Sequence, residues 1–158
     1  MSRIDKQTYY LKIAEAVSMR GTCLRRNFGS VIVKDDRIIS TGYTGSPRGS
    51  ENCCDSGECL REKMNIPRGQ MYEMCKSVHS EQNAIINANP SDMIGATLYL
   101  VGRNNDGSIM NDAAPCALCK RMIVNAQIKT VIVWRDNKPC EINVKDWLTD
   151  GSLTFSGY

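Results

Sequence analysis

The side chains with the most chemistry in this sequence sit in two short runs, Cys75-Lys-Ser-Val-His79-Ser-Glu81 and Pro115-Cys-Ala-Leu-Cys119. His79 is the one histidine of the chain. One imidazole with two thiolates, Cys116 and Cys119, can hold zinc tetrahedrally and leave the fourth position open, which is the pattern of a catalytic rather than a structural zinc. Water in that position ionises at a pKa of about 7. A carboxylate nearby but off the metal, Glu81, can carry protons. Each piece alone has a blander reading: a histidine at a helix start is usually a satisfied polar residue, and Cys-x-x-Cys can be a redox pair or half of a structural zinc site. A Cys–His nucleophile is the competing chemistry, but it has only His79 as a base and leaves the cysteine pair unexplained.

These groups need elements to carry them. Ser2 and Asp5 read as a capping box for a first helix, with Tyr10, Ile13, Ala14 and Val17 on one face and Gly21 at its end. Ser30–Lys34 and Arg37–Tyr43 flank Asp35-Asp36 and predict a hairpin. His79 opens a second helix with Ala84, Ile85 and Ala88 inward, ended by Pro90. Residues two apart on a helix point away from each other, so His79 and Glu81 can share a pocket only if His79 precedes the regular turns. Ala96–Val101 predicts a central strand, and Asn-Asn-Asp-Gly within Arg103–Asp112 an extended loop or hairpin tip. Pro115 is expected to start a third helix through Ala126, with Cys116 and Cys119 on one face at its N-terminus, where thiolates are favoured. Lys129–Trp134 predicts another strand, and Val144–Tyr158 a short helix and an edge strand.

The 158 residues suit one domain with a real core, 1–158, carrying a cysteine-bearing insertion at about 44–75. Net charge is +3, a mild excess that does not argue for nucleic acid. No apolar run approaches the ~18 residues of a membrane span, and Met1–Asp5 lacks a signal-peptide core, so a cytoplasmic location is the expectation. Eight cysteines in a reducing compartment read as metal ligands or buried thiols.

Cys53, Cys54 and Cys59 lie in the irregular insertion, which has little core of its own; a structural zinc would order it. Cys23, Cys53, Cys59 and Cys75 are the favoured ligands, with Cys54 as a substitute; buried thiols are the bland reading. Arg25, Arg26 and Arg48 flank the hairpin and the Gly45-Ser-Pro-Arg-Gly49 turn. Singly they are surface charges, but Arg26 and Arg48 are candidates to pair a phosphate bidentately. There is no Walker A sequence.

His-x-Glu followed by Pro-Cys-x-x-Cys is the signature of zinc deaminases of nucleobases. Together with Thr22-Cys-Leu-Arg-Arg26, Gly29–Lys34, Thr41-Gly-Tyr-Thr-Gly-Ser-Pro47, Asn52-Cys-Cys54, Cys75, Val78–Ala84 and Gly95–Tyr99, it makes the stretch from Tyr9 to Trp134 resemble the deoxycytidylate (dCMP) deaminases of the cytidine deaminase-like superfamily. The resemblance implies a three-layer α/β/α fold with a mixed five-stranded sheet flanked by helices. It also implies hydrolytic deamination of dCMP to dUMP with release of ammonia, His79, Cys116 and Cys119 on zinc, and Glu81 moving the protons. Thr44 and Pro115 join Arg26 and Arg48 as substrate-pocket residues. A homo-hexamer, dCTP as activator and dTTP as inhibitor with Mg2+, and a second zinc in the insertion are further implications. Two departures stand out: the family turn reads Gly-Tyr-Asn-Gly where this chain has Thr44, and the segment between Leu100 and Pro115 is longer, forming part of the pocket rim. The alternatives are deamination of another free nucleoside, nucleotide or base (cytidine, CMP, guanine), a tRNA- or DNA-editing deaminase, disfavoured for want of a basic stripe with aromatics, and an inactive zinc-bound regulator, which would have no need of Glu81.

Overall fold

A sheet of five strands in the order β2-β1-β3-β4-β5 forms the middle layer of the computed structural model, which describes residues 1–154. The strands are β1 (Arg26–Lys34), β2 (Arg37–Tyr43), β3 (Thr97–Asn104), β4 (Thr130–Arg135) and β5 (Lys138–Asn143). The β1–β2, β1–β3 and β4–β5 pairs are antiparallel and β3–β4 is parallel, so the sheet is mixed. The β1–β2 turn is made by Asp35 and Asp36, with φ of 49° and 59°, the left-handed pair that a two-residue hairpin favours.

The central strands read as unbroken apolar runs because both faces are covered, and the period of two sorts their side chains between layers. Val31, Val33, Tyr99, Val101, Ile132 and Trp134 pack with Tyr10, Leu11 and Ala14 of α1 (Lys6–Ser18). Ile32, Leu98, Leu100, Val131 and Val133 face the other way, onto Ala84 of α4 (Ser80–Asn87) and Ile123 of α6 (Ala117–Asn125). This gives the three-layer α/β/α arrangement expected from the resemblance.

Between β2 and α4 the chain forms the short helices α2 (Cys53–Ser56) and α3 (Leu60–Lys63) and a 3-10 turn, Tyr72–Met74. A short α5 (Pro90–Met93) precedes β3, and a 3-10 turn, Val144–Leu148, follows β5. Two close approaches seat the helices. A Cβ on Gly29 would lie 2.1 Å from Ala14 O of α1, and one on Gly42 would lie 2.3 Å from Ala84 N and 2.4 Å from Ser80 O of α4. Only glycine lets β2 touch the first turns of α4, the helix that carries the metal-side carboxylate.

Several elements differ from expectation in detail. Asp5, not Ser2, is the N-cap of α1, its carboxylate accepting from Thr8 N at 2.9 Å. Pro115 lies one residue before the N-cap Cys116, and α6 itself starts at Ala117. The edge strand is Lys138–Asn143, ahead of the tail, and the final part of the tail lies outside the described residues. The Asn-Asn-Asp-Gly segment does form a hairpin tip on β3, closed by Met110 N donating to Gly102 O at 2.8 Å. No helix among the described residues is long and apolar enough to cross a membrane.

Candidate active site

Two helix N-termini meet at one end of the sheet and carry the metal-binding groups. His79 is the N-cap of α4, with extended backbone (φ −69°, ψ 153°), and its N–H donates to Gln82 Oε1 at 2.9 Å. The residue before it is tied to the turn after β2: Val78 N donates to Gly45 O at 2.7 Å and Gly45 N to Val78 O at 3.2 Å. Because His79 is not yet helical, its ring and the Glu81 side chain can occupy the same pocket. Cys116 is the N-cap of α6, also extended (φ −69°, ψ 169°), and Cys119 lies in the first turn, fully buried.

His79 Nδ1 is 3.5 Å from Cys116 Sγ and 3.3 Å from Cys119 Sγ. With Zn–N of about 2.0–2.1 Å and Zn–S of about 2.3 Å, tetrahedral ligation sets N···S near 3.6 Å. The donor set therefore fits zinc. It is the one group of three or more His, Cys, Asp or Glu side chains among the described residues whose ligand atoms all lie within 4.8 Å of one another. Cys119 shares its proton with Cys116, and that hydrogen bond holds the Cys116 thiol well below its ordinary value against the cost of burial, with His79 adding to the effect. The same bond, together with burial, pushes Cys119 up. Burial works against an imidazolium at His79, but the hydrogen bond to Cys116 and the charge of Glu81 outweigh it and the net shift is upward.

Glu81 is 4% exposed. Burial pushes its carboxyl above the ordinary range, opposed by His79 and by the Ser80 hydroxyl, which donates to Glu81 Oε2 at 3.1 Å. A buried carboxyl beside a metal triad, its pKa raised above the ordinary carboxylate range, is placed to accept and return protons.

A cavity of about 190 Å³ opens onto these groups; His79, Glu81 and Cys116 form part of its wall. Thr44 and Arg26 line it as well. Thr44 is buried, its Oγ1 accepting from Phe28 N at 3.1 Å, which leaves the hydroxyl hydrogen for another acceptor. Pro115 is buried directly before Cys116 and directs the chain into the α6 cap. The structure does not bring Arg48 to this wall: its Nη2 donates to Asn87 Oδ1 on α4 at 3.2 Å. Cys23, Cys53, Cys59 and Cys75 converge on the same cavity, close enough that Cys53 feels the other thiols, though outside mutual ligand distance. Cys54 is exposed.

Sequence reasoning missed Arg61, Arg68 and Tyr72, all in the wall. Tyr72 meets the His79 ring edge-on, centroids 5.1 Å apart at 87°, and the Arg61 guanidinium lies 5.3 Å over the Tyr72 ring. The insertion thus packs against a metal-binding side chain. Its lack of periodicity gave no signal for these contacts.

A mixed sheet with two helix caps presenting His, Cys and Cys, and a buried carboxylate alongside, defines a zinc-dependent hydrolytic deaminase. The chain belongs to the cytidine and deoxycytidylate deaminase family, whose zinc-binding-region model matches residues 4–135. It is 35% identical over 137 residues to the deoxycytidylate deaminase of Mycobacterium phage D29, covering 84% of this chain and 96% of that one. It is also 35% identical over 134 residues to the deoxycytidylate deaminase of Saccharomyces cerevisiae, covering 84% of this chain but 38% of the yeast protein. The crystal structure of the dCMP deaminase from cyanophage S-TIM5 in apo form aligns with a TM-score of 0.58 at 26% identity, over 86% of this chain and 89% of that one.

Proposed function

We propose that the chain converts dCMP to dUMP, with release of ammonia, in pyrimidine deoxynucleotide metabolism. The observation that carries this reading is the buried Glu81 set beside His79, Cys116 and Cys119 in one cavity that also exposes Arg26. Zinc held by the three ligands supplies Lewis acidity that brings the ionisation of water into the neutral range. Glu81 takes a proton from the water that adds to cytosine C4 and delivers it to N3. It then moves the second proton of that water to the exocyclic nitrogen, which leaves as ammonia while C4 becomes a carbonyl. Thr44 offers its hydroxyl hydrogen to the nucleotide, Pro115 shapes the wall beside Cys116, and Arg26 pairs the 5′-phosphate.

Finer features belong to the same reading. Cys23, Cys53, Cys59 and Cys75 hold a second, structural zinc, supported by their convergence on one wall. The family resemblance supports a homo-hexamer, regulation by dCTP and dTTP with Mg2+, and a cytoplasmic location.

A panel of dCMP, CMP, cytidine, dCTP and guanine, read by ammonia release from zinc-loaded protein, tests the substrate. The largest kcat/KM should fall on dCMP; a larger value for any other member would replace it.

A further inference from the structure

The cavity wall carries Arg25, Arg26, Arg61 and Arg68, and these guanidiniums are not equivalent. Arg25 is turned toward Glu62, Nε to Oε1 at 3.6 Å. Arg61 is buried and committed to the backbone, donating to Gln70 O at 2.6 Å, Met71 O at 3.0 Å and Pro67 O at 2.8 Å. Those carbonyls bracket Arg68 and Gly69, so Arg61 fixes the turn that holds Arg68 at the cavity. Arg68 itself has a loose partner: Nη1 is 3.4 Å from Asp112 Oδ2, with side chains 51% and 68% exposed. Exposed pairs of this kind contribute little and exchange readily. Arg26, half-buried, has neither an ion pair nor a hydrogen bond to its side chain among the described residues. Burial, then Arg68, then Arg25 disfavour its charge, while Asp112 and Tyr72 favour it, so the two cations lie near enough on one cavity wall to repel, with Asp112 acting on both.

We infer that Arg68, presented by the insertion and positioned by Arg61, is a specificity-determining residue that pairs the 5′-phosphate together with Arg26, exchanging Asp112 for the phosphate when substrate enters. This rests on the dCMP reading above. Two guanidiniums on the wall of one cavity suit a phosphate monoester dianion, each able to pair two oxygens. Before substrate arrives, the pair with Asp112 occupies the Arg68 guanidinium that the phosphate then takes over. The insertion then has a task in the reaction: it supplies half of the phosphate site, and nucleotide preference comes from a segment outside the sheet and its helices.

The test compares zinc-loaded wild type with Arg68→Ala, Arg68→Lys and Asp112→Asn, using dCMP and deoxycytidine as substrates and inorganic phosphate as competing ligand. Zinc content and thermal unfolding check that each variant is folded. Arg68→Ala should lower kcat/KM for dCMP on the order of 10–100-fold more than for deoxycytidine. Phosphate inhibition should weaken in parallel. Arg68→Lys should recover part of both, since it keeps charge but not the fork. Asp112→Asn should tighten phosphate. Equal losses on the two substrates, or unchanged phosphate affinity in folded Arg68→Ala, would overturn the inference. A wild type with no preference for dCMP over deoxycytidine would instead sink the substrate reading, and the phosphate measurement would still decide the role of Arg68.

Discussion

Ser80 donates its hydroxyl hydrogen to Glu81 Oε2 at 3.1 Å, one residue past the metal-binding His79. Ser30 Oγ of β1 lies 2.8 Å from Ser80 Oγ, and both serines are fully buried. A hydroxyl has one hydrogen, so with Ser80 donating to the carboxylate, Ser30 must donate to Ser80. The sheet thereby holds the carboxylate through two hydrogen bonds in series. Ser80→Ala should lower kcat on the order of 10-fold with little change in KM or zinc content, since it loosens the proton carrier without touching ligands. Ser30→Ala should give a smaller effect in the same direction. A rise in KM at constant kcat would place Ser80 in substrate binding instead.

Arg61 should matter to the insertion more than to the sheet. Arg61→Met keeps much of the apolar stem but takes away the donor to Gln70 O and one of the two donors to each of Pro67 O and Met71 O. Gln70 is half-buried, and a carbonyl stranded there costs up to about 1–3 kcal/mol unless water reaches it. The insertion should open, with a Tm lower on the order of 5–10 °C and new protease cleavage between residues 60 and 75. Unchanged proteolysis would mean that other contacts hold the segment.

Stability at high pH should depend on Tyr10. Its ring is buried under the sheet while its hydroxyl reaches the surface and donates to Asp36 Oδ1 at 2.6 Å, and Asp36 also pairs with Lys6. The bond to Asp36 and burial push the phenol from 10.0 to about 12. A folded pKa above the unfolded one means that the contribution is fully present below pH 10 and is lost as pH rises through about 12. Denaturant unfolding should therefore show the wild type losing more stability than Tyr10→Phe between those limits. Parallel curves would remove Tyr10 from the alkaline transition.

The cysteines of the insertion make a countable prediction. Zinc-loaded protein should hold about two zinc ions per chain, and Cys59→Ser about one, with a loosened insertion. One zinc in both proteins would leave Cys23, Cys53, Cys59 and Cys75 as thiols of the cavity wall.

The elements that carry the metal triad were legible because local rules and tertiary demands agree there. The hairpin turn at Asp35-Asp36, the two-sided apolar runs of β1, β3 and β4, and the need for His79 to precede its helix follow from period, turn chemistry and geometry. The edge strand Lys138–Asn143 was hidden by Pro139 and its charges, a composition that an edge tolerates and a central strand does not. The capping box read from Ser2 and Asp5 placed the start of α1 three residues early: Asp5 is itself the N-cap, because its carboxylate reaches Thr8 N. Arg48 was drawn toward the phosphate by its glycine-rich turn, but α4 claims it through Asn87. Arg61, Arg68 and Tyr72 were illegible because their roles are set by long-range contacts to an irregular segment, where no period reports which side faces the cavity.

The most direct measurement is turnover of dCMP by zinc-loaded Glu81→Gln beside the wild type, with metal content determined on the same samples. The glutamine keeps the shape and the bond from Ser80 but cannot carry a proton. The account predicts that the wild type forms dUMP and ammonia, and that the variant binds zinc normally while turnover falls on the order of 10²–10⁴-fold. Turnover near the wild-type level in fully zinc-loaded Glu81→Gln would contradict it.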